Sequence, residues 1–529
     1  MRRVVIFSAG IDYSVRKGIA ELMSAFPHVE WLLLEHAPSR QWAKTLRNQW
    51  RNVRRHGWRW IWYQATELQR IIRSTSRSIS TTGGTSPGQA YEWPAIVARE
   101  KLTHWRVPDI HSPDAIARLQ SFAPDLGISL AAPILRASLF DVPRLGSINL
   151  HKGKLPDYRG MPPAFWELYN GESEVGCTVH RVAEKLDAGP ILLQTTVPRS
   201  RYSTVRGMQL ILDEVGVELT NQAVAALGNG IPNWQPQPRG GKTFRRPSLK
   251  QESELRARLD LAEHTPRPRR VLKDSFFRGY VHLARPVPRL LRSISGRQKI
   301  VVLLYHRVND DMRDSLTVGI EQFDQQMALL RSRYSVVSIA DIVTDQIPRN
   351  TRRPVIAVTF DDGYLDNYRH AVPVLLRHGI PAAFFVSTGV IGGTQGFAHD
   401  RMIGPIPTMD WDQVSRMHAL GFVIGSHTVN HIDCAKADEQ MLAQELAMSA
   451  DSLRTRLGLR EIIFAYPFGG RNNMTSRALE MVKASGYRGC LSAYGGANCG
   501  PIDPFNVLRV GIDHRFSMPA FRARLEGFG

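Results

Sequence analysis

Residues 355–363 read VIAVTFDDG. Val355 to Phe360 form an unbroken apolar and β-branched run, the pattern of a strand buried on both faces. It ends in two adjacent carboxylates, Asp361 and Asp362, followed by Gly363. Similar runs lie on either side: KIVVLLYH (299–306), AAFFVS (382–387), FVIGSH (422–427) and IIFAYP (462–467). Strands of this kind, separated by helix-length segments, specify an α/β domain whose chemistry collects at the strand carboxyl ends.

The run FVIGSH leads into His427-Thr428-Val429-Asn430-His431, two histidines four residues apart. One carboxylate and two imidazoles make a three-ligand set that leaves water a place on a zinc-like divalent ion, and the second carboxylate stays free to act as a base. Thr359–Gly363, His427–His431 and Ala465-Tyr466-Pro467-Phe468-Gly469 together resemble the motifs of the polysaccharide deacetylase (NodB-like) family, which removes N-acyl groups from amino sugars. The resemblance covers about 298–529. It implies a distorted (β/α) barrel, with Asp361 as general base and Asp362, His427 and His431 as ligands of a divalent metal, Zn2+ by expectation. Two features depart from the pattern. Ala465 stands where the family often has an arginine, which removes one expected partner of Asp361. The late motif that often supplies a general acid is present only as Leu508–His514, so His514 is the candidate acid.

The first half begins as an open α/β sheet does, with strand-like runs at 3–9 (RVVIFSA) and 29–34 (VEWLLL) around a helical stretch. Strand and helix alternate onward through VPDI, a helix near 113–122, GISLAAPIL and GSINLH. A helical stretch follows at about 203–230, ending in Gly228 and Gly230. Asn149 and His151 are two apart at the end of SINLH, so both project to one side. The segments 155–163 (LPDYRGMPP) and 187–190 (DAGP) follow. In this order the motifs resemble the formyltransferase family that uses N10-formyltetrahydrofolate. This resemblance runs from the first strand to about residue 247 and implies a Rossmann-like domain. It implies catalytic Asn149, His151 and Asp187, with Leu155, Pro156, Tyr158, Arg159, Gly160 and Gly189 at the cosubstrate. An amine attacking a formyl carbon builds up an oxyanion, which the Asn149 amide and the His151 imidazole can meet, while Asp187 orients the imidazole or takes up the proton. The family's usual H-P-S-L-L-P is His151-Lys152-Gly153-Lys154-Leu155-Pro156 here, which places two lysines near the substrate mouth.

The 529 residues and 43% hydrophobic content suffice for two or three domains and exclude wholesale disorder. The expected boundaries are 1–247 for the formyltransferase domain, with a basic Trp/Arg-rich insertion at about 39–90. A basic, proline-broken linker at 248–297 and the deacetylase-like domain at 298–529 complete the chain. A net charge of +20 favours anionic partners. Cys177, Cys434, Cys490 and Cys499 form neither a disulfide framework nor a zinc site. No apolar run reaches the ~18 residues of a membrane helix. A cytoplasmic location is therefore expected, with peripheral contact at an anionic inner membrane face.

A hydrolase that exposes an amine and a transferase that consumes one are chemically consecutive. The expected function is exchange of N-acetyl for N-formyl on a nucleotide-linked or lipid-linked amino sugar, with nucleic acid not expected as a partner. The alternative is a formyltransferase for a non-sugar amine or for methionyl-tRNA. The second half would then act separately, as a deformylase, or only bind glycan.

Overall fold

The computed structural model describes residues 1–38, 50, 53–54, 87–99, 101–230, 232–263, 299–347, 354–393, 396–400 and 404–526. Most of the insertion expected at 39–90, and the linker from 264 to 298, lie outside them. The chain divides into two units, Met1–Gln69 with Gln89–Glu263 and Arg70–Gly88 with His264–Gly529.

The first unit contains β1 (Arg3–Ser8), β2 (Glu30–His36), β3 (Leu102–Val107), β4 (Leu126–Ser129), β5 (Ser147–His151), β6 (Tyr158–Gly160), β7 (Glu174–Arg181), β8 (Ile191–Pro198) and β9 (Lys242–Phe244). Seven of these form one sheet in the order β3-β2-β1-β4-β5-β7-β8, and β6 and β9 pair separately. The pairs from β3 through β5 are parallel, and β7 runs antiparallel to both of its neighbours. Alternate residues of β1 serve two cores. Val4 and Ile6 join Ile19 and Leu22 of the helix Tyr13–Ala25 and Met208 and Leu212 of the helix Val205–Gly228. Val5 and Phe7 join Ala115 and Leu119 of the helix Pro113–Phe122. A sheet covered on both faces needs strands with unbroken apolar runs, as Val4–Phe7 of β1 and Trp31–Leu34 of β2 are. The three helices start where an Asp, Ser or Thr accepts from a free backbone N–H: Asp12 from Val15, Ser112 from Ala115, Thr204 from Gly207. The first unit also extends past residue 247. Helix Leu249–Glu263 buries Leu255 in its core, so the segment expected to be linker begins as a packed helix.

The second unit contains β10 (Lys299–Tyr305), β11 (Arg307–Val308), β12 (Thr317–Val318), β13 (Ser335–Val336), β14 (Val355–Phe360), β15 (Ala382–Val386), β16 (Val423–Ser426), β17 (Ile463–Ala465), β18 (Gly489–Leu491), β19 (Asn498–Cys499) and β20 (Arg509–Gly511). Its main sheet runs β18-β17-β16-β15-β14-β10 through parallel pairs. The segment Val507–Gly511 closes the curl. Val507 bridges Leu491 beside β18, and β20 pairs in parallel with β10. The interior is filled by Val302, Ala357, Ala383, Phe385, Ile463 and Leu491 from the five strands β10, β14, β15, β17 and β18, so the expected distorted (β/α) barrel is present. Among the described residues, no helix is long and apolar enough to cross a membrane.

One buried acid of the first unit is unrelated to its sheet. Glu167, in the short helix Phe165–Asn170, is 2% exposed, and its Oε1 has no hydrogen-bond partner among the described residues. Burial pushes its pKa up to about 7. A carboxyl raised in the folded state binds more protons folded than unfolded, so its contribution to stability falls as pH rises from the ordinary 4.5 to about 7. Glu167→Gln should remove that slope: the variant gains stability relative to the parent at pH 8 and not at pH 5. Denaturant unfolding at the two pH values checks this, and an unchanged difference rejects it.

Candidate functional sites

The site of the first unit lies where β5 and β7 pair. The antiparallel register sets Asn149 opposite His180 and His151 opposite Thr178. The loop between β7 and β8 then brings in Asp187, held at φ +50°. His151 Nε2 lies 2.6 Å from the Tyr158 carbonyl, which can only accept, so Nε2 carries the proton. That leaves Nδ1 as a lone pair 3.5 Å from Asp187 Oδ2. Likewise His180 Nδ1–H donates to the Arg181 carbonyl at 2.8 Å, and its Nε2 accepts from the Asn149 amide at 3.1 Å. His180 Nε2 is also 3.6 Å from Asp187 Oδ1. Burial lowers the His151 pKa against the pull of Asp187. For Asp187, burial is outweighed by His180, His151 and the Gly160 N–H, which hold the carboxyl below its usual range. The result is a neutral imidazole with its free nitrogen facing a carboxylate.

The other residues expected here are occupied in building the loop. The Arg159 guanidinium, 5% exposed, donates to Gln237 Oε1 and the Gly240 carbonyl. Tyr158 donates to Glu172, and its ring stacks on Phe244. Leu155 is buried, and Gln194 donates to its carbonyl; Pro156 lies beside it against Gly241. Gly160, at φ +90°, and Gly189 are required by close approach. A Cβ would lie 2.2 Å from the Phe244 carbonyl at 160 and 1.9 Å from the Arg181 carbonyl at 189. The two unusual lysines are tied down, Lys152 to Asp213 and Lys154 to Glu174. These pairs brace the loop.

In the second unit, β14 ends in Asp361 and Asp362, and β16 runs into His427. One ligand atom from each of Asp362, His427 and His431 lies within 4.8 Å of the others. His427 Nδ1–H donates to the Ala465 carbonyl at 2.8 Å, so its lone-pair nitrogen Nε2 faces Asp362 Oδ1 at 3.4 Å. His431 Nε2 faces the same oxygen at 3.3 Å. Burial and both carboxylates act on His427, and Asp361 and Asp362 outweigh burial to raise its pKa. Three electron-pair donors converging in a buried pocket suit a divalent cation.

Asp361 is not left without a partner by Ala465. Both its oxygens accept from the Arg509 guanidinium at 2.7 Å in a two-pronged pair, and Arg509 also donates to the Ser492 carbonyl. Against the effect of burial, Arg509 and His427 hold the Asp361 carboxyl below its usual range. His514, by contrast, is not brought to this cluster. Its Nδ1 donates to the Asp314 carbonyl at 2.7 Å and its backbone N–H to the Thr317 carbonyl. His399 comes to the cluster instead. Its Nε2 is 2.9 Å from Tyr364 Oη and 3.7 Å from Asp362 Oδ2, and its ring lies 5.2 Å from that of His431. Tyr364 in turn donates to Asp400, which pairs with the buried Arg307. His306, after β10, lies half-buried near Asp362 and Asp361, and desolvation lowers its pKa against their pull. His180, His399, His306 and Arg509 are the site residues that sequence reasoning missed. His306 ends the strand-like run KIVVLLYH, which was the available signal; His180 lies in a strand, β7, that the sequence reading did not mark.

Residues 79–224 match the formyl transferase family model, and residues 348–489 match the polysaccharide deacetylase family model. The first region is 34% identical over 136 residues to methionyl-tRNA formyltransferase of Roseiflexus sp. strain RS-1, covering 26% of this chain and 42% of that protein. The chain thus spans about two fifths of the length of that relative. The polysaccharide deacetylase homologue YxkH of Bacillus subtilis is 28% identical over 231 residues, 43% of this chain and 76% of its own. Among solved structures, the deacetylase PplD of Streptococcus pyogenes in complex with acetate shares 23% identity with a TM-score of 0.37, over 43% of this chain and 98% of its own.

The Asp361–Arg509 pair makes a stability prediction. Removing one partner of a buried ion pair strands the other charge, which costs about 3–5 kcal/mol. Arg509→Leu should therefore destabilise the second unit by about that amount, whereas Asp361→Asn with Arg509→Leu should cost clearly less. Denaturant unfolding of both variants decides; equal losses would show that the pair is not the source.

Proposed function

Because this chain joins a formyl transferase domain to a polysaccharide deacetylase domain, we propose that it exchanges the N-acetyl group of an amino sugar for an N-formyl group. The observation that carries this reading is the pairing of chemistries. One site has the groups to hydrolyse an amide and expose an amine, and the other has the groups to acylate an amine with one carbon. The formyl donor is N10-formyltetrahydrofolate, and the sugar is carried on a nucleotide or a lipid, whose phosphates the +20 charge would attract.

In the second unit Asp362, His427 and His431 would hold the divalent ion. An ion bound there lowers the pKa of water and polarises an amide carbonyl. Asp361 takes the proton of the attacking water, and Arg509 keeps that carboxylate ionised and aimed. His399 is the histidine placed at the cluster's edge, where a leaving amine would depart.

In the first unit Asn149 has one amide N–H committed to His180. Its second N–H is the donor for the oxyanion that forms on the formyl carbon. The committed Nε2–H of His151 leaves Nδ1 to accept the proton lost by the attacking amine, with Asp187 stabilising the imidazolium. His180 keeps Asn149 and Asp187 in register.

A second reading is favoured by the curated relatives of the first region, which are methionyl-tRNA formyltransferases. The acceptor amine would then be that of an aminoacyl-tRNA, and the second unit would act on a different molecule.

Mass spectrometry of N-acetyl amino sugars incubated with protein, zinc and N10-formyltetrahydrofolate tests the proposal. The expected result is replacement of acetyl by hydrogen, followed by replacement of hydrogen by formyl only when the folate is present. His427→Ala should block the first change and His151→Ala the second. Formylation of added methionyl-tRNA with no loss of acetyl from any sugar would favour the second reading.

The pH profile supplies an independent check. A histidine whose folded pKa lies below 6.5 is mostly neutral at that pH. The kcat/KM for formyl transfer should therefore fall on the acid side with a midpoint below 6.5, the ordinary histidine value. A midpoint at or above neutrality would remove His151 from the role of proton acceptor.

A further inference from the structure

The two histidines of the proposed metal centre belong to a five-residue turn with an unfavourable backbone. Thr428 sits at φ +64° and His431 at φ +56°, a left-handed region that costs non-glycine residues free energy unless the surroundings impose it. On one side the turn is imposed by the neighbouring strand end. Thr388 N–H donates to the Thr428 carbonyl, Gly389 N–H to the Val429 carbonyl, and Ser387 Oγ to the His427 carbonyl.

On the other side it is imposed by a single carboxylate. Glu445 lies within the helix Glu439–Leu457 and is 7% exposed. Its Oε2 accepts from two successive backbone N–H groups, Val429 at 2.8 Å and Asn430 at 2.9 Å. Its Oε1 accepts from the Asn430 side-chain amide at 2.6 Å. Consecutive N–H groups converging on one oxygen form an anion-binding concavity, and here the anion comes from the protein itself.

We propose that Glu445 is a positioning residue for the metal centre: it clamps the turn His427–His431 so that both imidazoles aim at Asp362 Oδ1. The proposal rests on the metal-hydrolase reading of the second unit and adds to it a residue that touches neither substrate nor ion. The peptide groups it holds lie between the two ligands, so losing the clamp lets the turn relax away from its left-handed conformation and moves His431 relative to His427.

Asn430 makes the test discriminating. It is exposed, so its amide is free to turn over. In Glu445→Gln the new carbonyl oxygen can still accept from both backbone N–H groups. The new NH2 can then donate to the Asn430 carbonyl oxygen once that amide flips. The isosteric variant thus preserves the clamp without its charge. Glu445→Ala and Glu445→Met both abolish it, and Met keeps most of the side-chain volume against the helix.

The measurement is zinc affinity of the full chain by competition with a chromophoric chelator, with thermal melts alongside. Outer-shell partners of metal ligands typically account for about 10–100-fold in affinity. Glu445→Ala and Glu445→Met should lose about tenfold or more, and Glu445→Gln should stay close to the parent. Parent-like zinc binding by the folded Ala or Met variant overturns the clamp. A Gln variant as weak as Ala overturns the hydrogen-bond account of it. Failure of the unsubstituted protein to bind zinc overturns the metal-centre reading itself, and is distinguishable because it precedes any substitution.

Discussion

The second unit depends on one buried ion pair. Asp361 is 2% exposed and Arg509 1%, and bringing two charges out of water costs more than their attraction returns unless every hydrogen-bonding group is satisfied. Here both prongs of the guanidinium meet both carboxylate oxygens, its Nε–H donates to the Ser492 carbonyl and a further N–H to Thr359 Oγ1. This arrangement exists only if β20 lies against β10 while Val507 lies against β18, so the pair and the closure of the barrel require one another. Everything at the strand ends inherits its position from that closure, because β14 carries Asp361 and Asp362 and is itself paired to β10.

The two units, different in fold, set their histidines by the same means. A backbone carbonyl takes the proton of one ring nitrogen and leaves the other as a lone pair. Tyr158 does this for His151, Arg181 for His180 and Ala465 for His427. Because a carbonyl cannot donate, the tautomer follows from backbone geometry rather than from pH. Ala465 thus contributes through its peptide group, which any residue at that position supplies.

What could be read in the sequence was what is local. The strand ending in Asp361-Asp362-Gly363, the spacing of His427 and His431, and the Asn149–His151 pair each lie within a few residues, where strand period and turn chemistry decide geometry. What was not legible depends on register between distant segments. His180 enters its site only because β7 runs antiparallel to β5. His399 arrives from a loop anchored through Tyr364, Asp400 and Arg307. Ala465 read as a lost partner for Asp361, although the partner comes from another strand. The prolines and basic residues around 248–297 read as linker and masked a helix whose burial rests chiefly on Leu255.

Arg509 is 148 residues further along the chain than the carboxylate it holds. Contacts that span so much sequence close late, since the loop entropy must be met before the contact rewards it. The proposed metal ligands, all upstream, can gather around their pocket before the final strand docks, but the proposed base beside them acquires its fixed orientation only at the last closure. On the proposed function, a partly folded second unit would hold the ion without a positioned base, and hydrolysis would report that the barrel is finished.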